Sequence, residues 1–127
     1  MSKTNEQTKK TLESYITDVP DFPKKGILFK DITSLLESPE GTSLCLESLL
    51  SELKNKQIDK VVGIESRGFF FGMLLAQSLK VPFVPVRKPG KLPRKVITQS
   101  FDLEYGSDVL ELHEESISSV DKIVIHD

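Results

Sequence analysis

Apolar residues recur along the chain at two spacings, and each spacing predicts a different kind of element. Leu46, Leu49, Leu50 and Leu53 repeat at helical intervals, and Ser38-Pro39-Glu40 stands before them as a start signal. The hydroxyl can cap, proline suits the first helical position, and the acid suits the first turn. This predicts an amphipathic helix ending near Asn55. Residues 60–64 are a short apolar run that reads as a strand, 66–79 as a second helix, and 81–86, with two prolines, as a second strand. Residues 96–101 and 109–113 can pair as a hairpin across 102–108, and 122–125 form the last strand. Leu12, Tyr15 and Ile16 share one short helical face, while the polar first ten residues are expected to be loose. Residues 21–26 are punctuated by Pro and Gly and read as a loop, with the apolar triplet Ile27-Leu28-Phe29 inside the same loop region. The strand–helix–strand order implies an α/β fold with a mostly parallel central sheet flanked by helices. Such a sheet holds its ligand at the carboxyl ends of the strands. Asp127 follows the last strand with no crossover helix behind it, so the chain reads as an enzyme cut short.

Composition narrows the class. A length of 127 residues and a mass of 14.3 kDa suit one domain, spanning residues 1–127. With 38% hydrophobic and 28% charged residues, disordered, collagenous and disulfide-scaffold classes are excluded. The single cysteine, Cys45, cannot pair within the chain and fits a reducing compartment. A net charge of −2 argues against a general nucleic-acid binder. The longest apolar-rich stretch, 68–76, is far shorter than a membrane span, and the polar N-terminus lacks a signal-peptide core. A soluble cytoplasmic domain, with no nucleic-acid or membrane partner, is expected.

Four stretches carry candidate chemistry. Glu65-Ser66-Arg67-Gly68 lies between a strand and a helix, where free N–H groups and the arginine fork suit a phosphate. The plain alternative is a helix cap beside a solvated arginine. Arg87, Lys88, Lys91, Arg94 and Lys95 crowd a loop rich in Pro and Gly directly after a strand. They suit a clamp for a highly charged ligand, or else a solvated basic loop. Residues 100–108, holding Glu104 and Tyr105, form a hairpin tip that is either a catalytic lid or a plain turn. Residues 26–31 place apolar side chains in an early loop, where they either pack on the core or sandwich a flat ligand. His113 reads as structural, Cys45 as a small core residue, and no cluster has metal-ligand spacing.

Taken in order, these stretches resemble the adenine phosphoribosyltransferases of purine salvage. The likeness rests on Pro20 through Thr33, on Gly63-Ile64-Glu65-Ser66-Arg67-Gly68-Phe69, on Arg87-Lys88-Pro89-Gly90-Lys91-Leu92-Pro93, and on Phe101-Asp102-Leu103-Glu104-Tyr105-Gly106. It implies a type I phosphoribosyltransferase fold with a hairpin lid, acting as a homodimer. The implied reaction joins adenine to phosphoribosyl pyrophosphate (PRPP), with Mg²⁺, to give AMP and pyrophosphate. By the same resemblance Glu65, Ser66, Arg67 and Gly68 would hold pyrophosphate, with a cis peptide before Ser66. Arg87, Lys88 and Lys91 would clamp the leaving group. Leu28, Phe29 and Lys30 would bind adenine, with Phe29 stacked on the purine. Glu104 and Tyr105 would be catalytic together with Arg67, and Asp127 would meet the ribose. No metal ligand is implied directly, since Mg²⁺ would arrive with PRPP. Two departures stand out. Ser34 replaces a usual proline, and residues 120–127 supply only the strand and first acid of the family's PRPP signature. A chain without the second acid, phosphate loop and following helix is expected to be inactive and unstable. A non-catalytic PRPP-binding regulator of the same fold is the alternative reading, although the short polar N-terminus leaves no room for a DNA-binding domain.

Overall fold

The computed structural model describes residues 6–103 and 106–127. They fall into two compact units, divided between Asn55 and Lys56.

In the first unit, helix α1 (Glu6–Ser14) precedes an antiparallel hairpin of β1 (Thr17–Pro20) and β2 (Leu28–Asp31). Two helices follow, α2 (Thr33–Leu36) and α3 (Pro39–Leu53). Two expectations change here. Residues 6–10 are the first turns of a helix rather than loose chain, and two residues of the apolar triplet, Leu28 and Phe29, sit in a strand, with Ile27 just before it. The hairpin forms because Asp21 and Gly26 adopt positive φ of 58° and 90°, reversing the chain between paired Val19 and Phe29. Asp21 also accepts a hydrogen bond from the Gly26 N–H at 2.9 Å. The predicted start of α3 is present, with the Ser38 hydroxyl accepting from the Gly41 N–H at 3.0 Å. Gly41 is needed there, because a Cβ would stand 3.0 Å from both Leu35 and Tyr15.

The second unit is built on three parallel strands in the order β4 (Phe83–Val86), β3 (Lys60–Ile64) and β7 (Ile123–His126). Helix α4 (Arg67–Leu79) joins β3 to β4 and ends where Lys80 turns left-handed at φ 58°. It lies on the sheet face that carries Gly63 and Val61, and Val61, Phe71, Leu75 and Ala76 are all buried. On the other face Val62, Val84 and Val86 form a core cluster. Leu110, Leu112 and Ile117 cover it, so a hairpin rather than a second helix packs there among the described residues. That hairpin is β5 (Val96–Leu103) with β6 (Gly106–His113), followed by a 3₁₀ turn, Glu114–Ser116. Its ladder runs on to Leu103↔Gly106, well past the expected end at Phe101, because antiparallel pairing satisfies backbone groups whether or not side chains are buried.

Candidate active site

The first segment is the β3–α4 junction, at the carboxyl end of the central strand. Residues 64–68 turn there through a cis peptide between Glu65 and Ser66. Ser66 occupies the N-cap position, but its hydroxyl makes no capping bond, contrary to the capping role expected of it. Its backbone is already near-helical (φ −108°, ψ −20°), which is not the extended geometry that side-chain capping uses. Among the described residues, the N–H groups of Ser66, Arg67 and Gly68 find no acceptor. They are the orphan donors of a helix start, with the positive end of its dipole.

Gly68 does permit a close approach, and the approaching group is protein. A Cβ on Gly68 would stand 2.3 Å from the His126 carbonyl oxygen of β7. A Cβ on Gly63 would meet the Gly68 carbonyl at 2.6 Å and the Phe83 ring at 2.7 Å. Two glycines therefore let α4 lie directly against β3 and β7. The exposed Arg67 guanidinium is 3.3 Å from the Asp127 carboxylate. His126, beside this pair, is held below its ordinary pKa by burial, with the Asp127 charge acting in the opposite direction.

The second segment, residues 87–95, reads as one run of charge in the sequence, but the structure sorts it. Arg87 is fixed by main-chain bonds of 2.8 Å in both directions to Glu111 on β6. Its Nε donates to the Glu65 Oε1 at 2.9 Å. Arg94 pairs with Glu115, and Lys95 with Glu114. His113 is buried, as its place in an alternating strand suggested, and the Arg94 N–H donates to its Nε2 at 3.4 Å. Lys88 and Lys91 remain without an ion pair among the described residues. They flank a type II turn with Pro89 and Gly90 at its centre, Gly90 at φ 82° and the Lys91 N–H reaching the Lys88 carbonyl at 3.4 Å.

Glu65 connects the two segments. Its Oε1 also accepts from the Lys88 N–H, at 3.3 Å. Burial raises the Glu65 carboxyl, but the hydrogen bonds from Arg87 and Lys88 and the charges of Arg87 and Lys91 outweigh it and hold the pKa below its ordinary value. A carboxylate so occupied orients cations and repels an anion. Sequence reasoning grouped Glu65 with the anion binders because it stands in the motif. It passed over Glu111, for which a charged residue in an alternating strand is no signal.

The third segment belongs to the first unit. Alternation along β2 puts Phe29 and Asp31 on one face of the hairpin, Leu28 and Lys30 on the other. Phe29 lies edge-on to Phe22, with ring centroids 5.1 Å apart. Both line a cavity of about 400 Å³ with Val19, Asp31 and Thr33. The Asp31 carboxyl accepts from the Thr33 N–H at 2.9 Å, and bonds from Thr33 hold its pKa low. Lys30 reaches across to Asp18 at 2.6 Å, so its side chain is engaged on the face opposite the Phe29 ring. Glu104 and Tyr105 lie outside the described residues.

Known proteins match the chain along most of its length. It is 59% identical over 116 residues to the adenine phosphoribosyltransferase of Flavobacterium johnsoniae, covering 91% of this chain and 68% of that protein. The crystal structure of the Rhodothermus marinus adenine phosphoribosyltransferase superposes with a TM-score of 0.86 at 49% identity, covering 95% of this chain and 69% of that one. The Saccharomyces cerevisiae enzyme, crystallised with adenine and an imino-altritol bisphosphate, gives a TM-score of 0.89 at 35% identity, covering 95% and 71%. No protein-family model matches the chain.

Proposed function

The chain belongs to the adenine phosphoribosyltransferase family, and we propose that it transfers the 5-phosphoribosyl group from PRPP to adenine, giving AMP and pyrophosphate in purine salvage. The observation that carries this reading is the position of Glu65. One carboxylate oxygen binds both Arg87 and the Lys88 amide, so the two anion-binding motifs are tied into one cationic surface. The reading treats residues 1–127 as one phosphoribosyltransferase domain. Relatives of this kind favour the enzyme over a non-catalytic PRPP-binding regulator.

Within this reading each side chain takes a role. Arg67 and the free amides of Ser66 and Gly68 hold the pyrophosphate. The Arg67–Asp127 pair is exposed and worth at most about 1 kcal/mol, so an incoming anion can take the arginine and leave Asp127 to the ribose hydroxyls. Lys88 and Lys91, with the pre-oriented Arg87, clamp the leaving group. Phe29 stacks on the purine, the main chain around Leu28 reads its edge, and Lys30, its side chain held by Asp18 on the opposite face, contributes through its main chain. Glu104, flanked by Tyr105, handles the adenine N7 proton as the N9–C1′ bond forms. The ribosyl carbon becomes oxocarbenium-like as pyrophosphate departs, so catalysis rests on neutralising that charge and excluding water.

Magnesium belongs to the same proposal, entering with PRPP. Among the described residues no group of three His, Cys, Asp or Glu side chains could hold an ion. The carboxylates beside the loop, Glu65 and Glu111, accept from N–H and O–H donors. An ion carried by the substrate would offset the charge of the pyrophosphate. A homodimer and a cytoplasmic location complete the proposal. The first rests on the family resemblance. The second rests on the single cysteine, which fits a reducing compartment. The test is a coupled assay of the full-length protein with PRPP and Mg²⁺. AMP should form from adenine, while hypoxanthine is rejected, and equal use of both bases would overturn the adenine assignment.

A further inference from the structure

The turn that presents Lys88 and Lys91 is held from outside by a residue that lies in none of the four motifs. We infer that Glu111 is a positioning residue for the pyrophosphate clamp, an inference that rests on the proposed role of that clamp. Glu111 sits half-buried on β6 and uses both carboxylate oxygens. Oε1 accepts from the Gly90 N–H at 3.2 Å, and Oε2 accepts from the Thr98 hydroxyl on β5 at 2.9 Å. Its main chain exchanges the two 2.8 Å bonds with Arg87 at the start of the loop.

The chemistry of the turn explains why this grip matters. In a type II turn the closing bond runs from the fourth N–H to the first carbonyl, here Lys91 to Lys88. The Gly90 N–H takes no part in that bond and needs an acceptor elsewhere. Types I and II differ by a flip of the central peptide, Pro89–Gly90. An acceptor fixed on the Gly90 N–H therefore selects one orientation of that peptide, and with it the directions in which Lys88 and Lys91 leave the turn. Glu111 acts through this hydrogen bond and makes no ion pair with either lysine among the described residues. Thr98 anchors the other oxygen and ties the β5–β6 hairpin to the clamp.

The test is calorimetric titration of the full-length protein with inorganic pyrophosphate and, separately, with adenine. Glu111→Ala should weaken pyrophosphate about tenfold, the size of one lost hydrogen bond, and leave adenine within about twofold. Glu111→Gln keeps an oxygen for Gly90 and an NH₂ for Thr98, so it should stay within about threefold of wild type for both ligands. Should Glu111→Ala fail to fold, Thr98→Val loosens the same carboxylate and should cost pyrophosphate about twofold to threefold. Equal weakening of both ligands would overturn the positioning role. So would unchanged pyrophosphate binding in Glu111→Ala, or in Thr98→Val where that variant stands in, while Lys91→Ala loses it. If Lys91→Ala also binds pyrophosphate normally, the clamp reading itself falls, and the role of Glu111 with it.

Discussion

The β3–α4 junction and the 87–95 loop both present cations at the end of a parallel strand, yet they are held by opposite means. At the junction the constraint is steric. Gly63 and Gly68 let backbone touch backbone, and neither position has space for a methyl group. In the loop nothing lies within 4 Å of a Cβ built on Gly90. Shape there comes from a left-handed turn and from acids on β6 and beyond that take up three of the five cations or their main chain. A packed junction can aim orphan N–H groups at a ligand without spending side chains on it. An open loop must instead spend Glu65, Glu111, Glu114 and Glu115 to hold its course, and the cations left unpaired are the ones available to an anion.

This contrast can be broken by substitution, beginning with the largest effect. Arg67→Ala should slow AMP formation by the full-length protein about 10²–10³-fold, by analogy with loss of one oxyanion-hole donor. A near-normal rate would remove Arg67 from the site. Gly68→Ala should destabilise the fold by about 1–3 kcal/mol through overpacking against β7, as read by chemical denaturation. Gly90→Ala meets no atom, so its cost should be about 1–2 kcal/mol from the φ of 82° alone. A larger loss for Gly90→Ala than for Gly68→Ala would reverse the assignment of steric and conformational control. The smallest effect concerns Glu65, which joins the two regions. Its folded pKa lies below the ordinary 4.5, so its stabilisation is present above that pH and is lost as pH falls through the folded value. The stability gap between wild type and Glu65→Gln should therefore narrow on acidification below about pH 4.5, and a gap independent of pH would contradict the linkage.

The same contrast explains what was legible in the sequence. Strand β3 appeared at its true bounds because Val61, Val62 and Ile64 form a short run rich in β-branched residues between polar neighbours, which admits few alternatives. The start of α3 was plain from Ser38-Pro39, where the cap is local. Gly68 was readable as a point of close approach, but not the identity of what approaches, since β7 lies about sixty residues later in the chain. The β1–β2 hairpin was missed because its apolar residues, Leu28 and Phe29, are exposed and follow a loop full of turn signals. Charge in the 87–95 loop could be counted but not apportioned, because its partners Glu65, Glu111, Glu114 and Glu115 come from three other elements. Motif order identified the family where local physics left each stretch with two readings.

The most direct test of this account compares the two classes of cation in the loop by pyrophosphate titration. The Lys88→Ala/Lys91→Ala double variant should lose about 100-fold or more in affinity, as expected for two hydrogen bonds to charged groups. The Arg94→Ala/Lys95→Ala double variant should stay within about threefold of wild type, because those cations are committed to Glu115 and Glu114. Equal losses in the two variants would mean that the loop acts as an undifferentiated patch of charge, and the sorting of its cations would have no bearing on binding.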